Sequence, residues 1–321
     1  MNFRVSRISQ NGLSLVKLQD NATNTIITIL PEYGALLHSF EVEVNREPLN
    51  IIDNYSSRQQ VEQELGISYK SSKLSPFVCR LRDGKYKIDD EAFEISKKLN
   101  DGNAIHGLLY NKPFKITSEF ADDNQASVTL RYHYNREDAG YPFDYVCEVR
   151  YSLIPQNVLQ VETTILNLDS VEIPVADGWH PYFQLGGNDI SDYQIDVSTT
   201  SMVEFDERLL PTGKLIHDPS WFNQTPLGML ELNNCYVIEP VDQNPAAFLY
   251  NPANEAFVAI YTNKRYPYLQ LYTPPHRKSI AIENLSAAPD CFNNGMGLVL
   301  LSPKQSQTFT VWYQAGVAEN D

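Results

Sequence analysis

A large, mostly β, antiparallel β-sandwich is the fold class predicted for these 321 residues. Three observations predict it: apolar and polar residues alternate with a period of two along several segments, turn chemistry recurs between them, and helical periodicity is scarce. Residues 125–134 show the alternation plainly, with Ala126, Val128, Leu130, Tyr132 and Tyr134 on one face and Ser127, Thr129, Arg131 and His133 on the other. Such a pattern marks a strand with one face in a core and the other wetted.

Residues 145–153 repeat it, with Tyr145, Cys147, Val149 and Tyr151 alternating with Val146, Glu148, Arg150 and Ser152. Leu159, Val161, Thr163 and Ile165 form another run, and Phe309, Val311 and Tyr313 a last one. Turns are signalled at Asp89-Asp90, at Asn251-Pro252-Ala253-Asn254 and at Pro274-Pro275. One helix is predicted over residues 57–65, where Ser57 can cap, Val61 and Leu65 supply an apolar face, and Gly66 can end it. With no linker-like stretch and no fixed repeat, residues 1–321 read as a single domain.

Composition narrows the function. Apolar residues make up 42% and charged residues 20%, normal for a protein with a real core. A net charge of −15 excludes nucleic acid and anionic membrane surfaces as partners, since both require a basic face. Apolar runs such as residues 297–301 fall far short of the roughly 20 residues of a membrane helix. The opening Met-Asn-Phe-Arg-Val-Ser-Arg lacks the apolar centre of a signal peptide, so a cytoplasmic location is expected. Cys79, Cys147, Cys235 and Cys291 lie far apart with no Cys-x-x-Cys pair. Their spacing indicates neither a zinc site nor a disulfide framework, but four free thiols.

Three segments do not read as ordinary strand or turn: Asn103-Ala104-Ile105-His106-Gly107, Asp177-Gly178-Trp179-His180-Pro181-Tyr182-Phe183, and Ser279-Ile280-Ala281-Ile282-Glu283-Asn284-Leu285. His106 and His180 stand at strand ends, and imidazole is the side chain suited to proton transfer near neutral pH. Glu283 shares a strand face with Ala281 and Leu285. Burial there raises a carboxyl toward the range where it works as a base. Each residue also has a plain alternative, a hydrogen-bonded structural histidine or a salt-bridged glutamate. The residues alone stop at a β-rich protein with a His/His/Glu constellation.

Order and context add a resemblance. Tyr33-Gly34-Ala35-Leu36-Leu37-His38-Ser39, Pro76-Phe77-Val78-Cys79-Arg80 with Gly84-Lys85-Tyr86, Ile105-His106-Gly107, and His180-Pro181-Tyr182-Phe183-Gln184-Leu185 resemble successive motifs of the aldose 1-epimerase (galactose mutarotase-like) family. So do Leu269-Gln270-Leu271-Tyr272-Thr273, Ile282-Glu283-Asn284, and Pro289-Asp290-Cys291-Phe292-Asn293 with the closing residues 300–303. The resemblance covers nearly the whole chain. It implies a galactose mutarotase-like sandwich with a sugar in a cleft on one sheet, no metal or organic cofactor, and a small-molecule sugar as partner of a monomer or homodimer. By motif position, Glu283 is the general base on the anomeric hydroxyl and His180 the general acid on the ring oxygen. His106, Arg80 and Gln270 hold the sugar.

Three departures bear on substrate. Where the family commonly has a sugar-binding Asp, this chain has Asn233 in Asn233-Asn234-Cys235-Tyr236. Trp179 stands before the histidine where galactose mutarotases tend to have Asn, and is a candidate stacking platform. Leu108 follows His106-Gly107 in place of a second glycine. The expected activity is interconversion of the α and β anomers of a free hexose or related aldose. A hexose-6-phosphate 1-epimerase instead requires a cationic cluster at the rim, with Arg82, Arg265, Arg277 and Lys278 as candidates. A non-catalytic sugar-binding or sensing protein is the reading from another class. Glycoside hydrolysis fits less well, because it calls for two carboxylates and only Glu283 stands out.

Overall fold

The period-two segments pair as expected. The computed structural model describes residues 2–217, 225–238 and 244–318, with 53% of the chain in strands and 7% in helix. Residues 125–134 lie within the strand Ala126–Asn135, residues 145–153 within Asp144–Ile154, and the next run within Val158–Asn167. Among the described residues these belong to a nine-stranded antiparallel sheet. In that sheet the late strand Ser306–Val317 inserts between Val158–Asn167 and Ala256–Thr262.

Among the described residues an eight-stranded sheet faces it. Its central strands are Asn233–Ile238, Tyr268–Tyr272 and Ile280–Leu285, followed by the short Gly178–Trp179 and Lys73–Leu74. Tyr151 against Trp179 and Tyr313 against Phe183 join the two sheets, with ring centroids 5.8 Å apart in each case. A hydrogen bond of 2.6 Å from the Tyr313 hydroxyl to Asn284 Oδ1 crosses the same interface. A five-stranded meander, Phe3–Gln10 through Glu47–Asn50, completes the large sheets.

The predicted helix forms as Arg58–Ser68, capped by the Ser57 hydroxyl, but Gly66 does not end it. The buried series Val61, Leu65 and Tyr69 has helical spacing and carries the helix further. Tyr69, in the left-handed region at φ 51°, provides the stop, and its N–H donates to the Leu65 carbonyl at 3.0 Å. All four cysteines are free and buried. No helix among the described residues is long and apolar enough to cross a membrane.

Candidate active site

Strand register assembles the floor of a cleft. Cys235, Gln270 and Glu283 are successive cross-strand partners on three neighbouring strands, and Asn233 and Tyr272 are partners one pleat along. Side chains on one face recur every second residue. Glu283 and Gln270 therefore point to the cleft, while Ile282, Asn284, Leu269 and Leu271 point to the core.

Two loops bring the remaining groups. Cys79 and His106 both adopt left-handed backbone, at φ 48° and 59°, and the His106 N–H donates to the Cys79 carbonyl at 2.9 Å. Gly107 is obligatory there: its φ is +72°, and a Cβ would lie 2.2 Å from the Ser75 carbonyl oxygen. His180 follows Gly178–Trp179, with its own N–H bonded to Ser72.

These elements enclose a cavity of about 410 Å³ lined by Cys79, Arg80, His106, His180, Asn233, Gln270 and Glu283, with Tyr69, Tyr182 and Tyr272 as aromatic walls. His180 Nε2 lies 3.3 Å from Glu283 Oε1, and the two side chains are only 6% and 2% exposed. Tyr182 stacks on the His180 ring at 5.0 Å, and His106 meets the same ring edge-on at 4.9 Å. Tyr69 leans on His106 at 4.7 Å. The Gln270 amide donates to Asn233 Oδ1 at 3.0 Å, presenting the two amides as a unit. His106 Nδ1, His180 Nδ1, Gln270 Oε1 and Arg80 Nε are buried with no hydrogen-bond partner in the protein. Buried polar atoms left open in this way cost stability unless a ligand or solvent satisfies them.

Burial sets the protonation. It pushes the Glu283 carboxyl well above the usual carboxylate range, with the Arg80 charge pulling it back. It pushes His180 down to about 4. His106 is pushed well below its ordinary value by burial, then by His180, Arg80 and Lys97. Both shifts favour a proton on the carboxyl over one on the imidazole.

Six of the seven site residues expected from the sequence line this cavity: Glu283, His180, His106, Arg80, Asn233 and Gln270. Trp179 does not, which corrects its reading as a stacking platform. Neighbouring residues in extended chain face opposite ways, so a cleft-facing His180 sends Trp179 into the core. There it packs on Tyr151, with the Lys73 ammonium 4.5 Å from its ring centroid. Tyr182, Tyr272, Tyr69 and Cys79 were not singled out, although the motif containing His180 also carries Tyr182 and the one containing Arg80 also carries Cys79. Of the cations considered for phosphate recognition, Arg82, Arg265, Arg277 and Lys278, none lines the cavity. Arg277 turns away to the Gly228 and Leu230 carbonyls, and Arg82 to Asp206 and Asp290.

Paired antiparallel sheets with this cleft define the galactose mutarotase-like fold. A galactose mutarotase-like protein from Clostridium acetobutylicum superposes with a TM-score of 0.86, at 18% identity over 99% of each chain. Galactose 1-epimerase from Lactobacillus acidophilus does so at 0.81, with 18% identity over 99% of this chain and 100% of that one. The sequence profile of aldose 1-epimerase matches residues 14–314, and the chain belongs to that family. Among curated relatives, the uncharacterised protein YihR of Escherichia coli is 24% identical over 243 residues, 74% of this chain and 77% of its own. Maltose epimerase of Levilactobacillus brevis is 21% identical over 324 residues, 92% of both.

Proposed function

We propose that the protein interconverts the α and β anomers of an unphosphorylated hexose or related aldose by ring opening and closure. The observation that carries this is the buried Glu283–His180 pair, 3.3 Å apart on the floor of an open cavity. Ring opening takes a proton from O1 and delivers one to O5, so one base and one acid must face the same acetal carbon. Glu283 as carboxylate takes the O1 proton, and His180 as imidazolium gives its proton to O5. The C1–C2 bond then rotates, and the two transfers run backwards onto the other face of the carbonyl.

The two states of the pair are the two ends of that cycle. With the proton on His180 the pair is ready to open a ring; with a proton on Glu283 and His180 neutral it is ready to close one. Burial favours the neutral arrangement, while the Arg80 charge and sugar hydroxyls favour the ionic one. Near balance between them is what a reversible proton exchange requires. His106, Arg80, Asn233 and Gln270 offer donors and acceptors to the sugar hydroxyls, and their unpartnered atoms fit that role. Arg80 is the only Lys or Arg among the described residues lining the cavity, short of the cationic cluster a sugar phosphate requires, which supports a neutral sugar.

Polarimetry or NMR of freshly dissolved α-glucose, α-galactose and maltose tests the reading. Wild-type protein is expected to speed equilibration over buffer, and Glu283→Gln to lower kcat/KM by about 10²–10⁴-fold, the usual share of one acid–base group. Acceleration that survives Glu283→Gln would remove Glu283 from the mechanism, and no acceleration of any sugar would favour a binding protein.

A further inference from the structure

The spacing of the cysteines gives no sign of a metal site, yet folding gathers one thiol, one imidazole and one carboxylate at the cleft floor. Cys79, His106 and Glu283 each place a ligand atom within 4.8 Å of the other two, and all three are buried. Cys79 Sγ lies 4.0 Å from Glu283 Oε2. A tetrahedral zinc ion with Zn–S about 2.3 Å and Zn–N or Zn–O about 2.0–2.2 Å holds its ligand atoms roughly 3.4–3.6 Å apart. The group therefore needs to close by no more than about 1.2–1.4 Å.

We infer that these three residues bind a zinc-class divalent ion, and that the ion inhibits the protein by occupying Glu283. The inhibition rests on the reading of Glu283 as the base; the binding does not. Thiolate, imidazole and carboxylate together suit Zn²⁺ rather than Mg²⁺ or Ca²⁺, which take oxygen ligands. Two anionic ligands neutralise the ion, and the thiol proton, with any proton on the carboxyl, is released to solvent as it binds.

The ligands are already positioned. The left-handed turns at Cys79 and His106 are tied by a backbone hydrogen bond, and Glu283 is fixed in mid-strand. His106 Nδ1 is buried without a hydrogen-bond partner, and Cys79 Sγ faces the Glu283 carboxylate. Three protein ligands leave a fourth position for water, toward a cavity lined by all three residues. Arg80 opposes a cation, although its Nε also lies 3.9 Å from Asp101 Oδ2. An ion bound here takes the carboxylate that would accept the sugar proton.

Cobalt(II) added to the full-length metal-free protein decides the binding. A thiolate-to-cobalt charge-transfer band in the near ultraviolet and the intense visible bands of a four-coordinate ion are expected. Cys79→Ser should lose the charge-transfer band, whereas Cys147→Ser, which alters a buried thiol of the nine-stranded sheet away from the cavity, should keep it. If Cys79→Ser does not fold, as judged by its thermal melt, His106→Gln serves, with loss of the four-coordinate visible bands. Zinc is then compared with buffer within each variant on whichever sugar the wild type accelerates: a loss of tenfold or more in wild type, relieved by chelator, should shrink to less than twofold in Cys79→Ser. Absence of the cobalt bands in wild type, or their persistence in Cys79→Ser, overturns the site. Stimulation by zinc overturns the inhibition. If no sugar is accelerated, the proposed activity fails while the cobalt spectra still decide the site.

Discussion

Residues 177–180 contribute to two buried ionisable pairs with opposite designs. Asp177 pairs with Lys73 in the core, where both side chains are fully shielded from solvent. The ammonium also donates to the Gly178 carbonyl at 3.1 Å and lies over the Trp179 ring, and Asp177 Oδ1 accepts from the Tyr266 hydroxyl at 2.5 Å. His180 pairs with Glu283 three residues on, but Nδ1 of that imidazole has no partner and the pair opens onto a cavity. One pair is enclosed by fixed hydrogen bonds; the other is left with capacity for a ligand. Burial alone does not separate a structural ion pair from a reactive one. Access to a cavity does: each pair leaves one atom without a hydrogen bond, Asp177 Oδ2 against the Lys73 ammonium in the core and His180 Nδ1 on a residue that lines the cleft.

Mutation can break or sharpen this contrast. The largest expected effect is the loss of activity in Glu283→Gln described above, with folding stability altered by no more than about 1 kcal/mol, because an underbonded buried carboxyl is replaced by a neutral amide. Asp177→Ala should do the reverse. Removing one partner strands the Lys73 charge in the core, which costs about 3–5 kcal/mol by urea denaturation. The double variant Lys73→Met, Asp177→Leu should recover most of that loss, since apolar replacement of a whole buried pair is often neutral. Equal destabilisation by Glu283→Gln and Asp177→Ala would erase the distinction.

A smaller effect separates the two faces of the strand between the pairs. Trp179→Phe should lower stability by about 1–2 kcal/mol through lost core packing while leaving KM for the sugar within twofold. A large rise in KM would return Trp179 to the cleft. The smallest signal is in pH dependence. In the proposed cycle the pair carries one proton, and adding a second means protonating His180, which burial holds down to about 4. The acid limb of kcat/KM should therefore fall well below the ~6.5 of a free imidazole. The stability term of this group has the same sign: it is complete above about 6.5 and is lost as pH falls toward 4.

The strands were legible because one face of each packs on a core, and packing on one face writes a period of two into the chain. Residues 125–134 and 145–153 show it without ambiguity. The end of the helix was misplaced because Gly66 carries the local signal, whereas buried Tyr69 acts through tertiary contacts. Glu283, His180 and His106 drew notice as ionisable residues at strand ends or on a partly apolar face, and the family resemblance gave them roles. Cys79 could not be seen in this way, since its contact with Glu283 spans 204 residues. The Lys73–Asp177 pair was hidden for the same reason. Lys73 reads as a surface residue until the pairing of Lys73–Leu74 with Gly178–Trp179 encloses it.

The place of Ser306–Val317 between Val158–Asn167 and Ala256–Thr262 has a consequence for synthesis on the ribosome. A chain made from its N-terminus exposes two long unpaired β edges, in the middle of its largest sheet, until those late residues emerge. Open edges of this kind pair readily with strands of other molecules. Nascent or truncated chains lacking residues 306–317 should thus be the aggregation-prone form of this protein, and a stop codon before residue 306 should be far more damaging than its distance from the cleft suggests.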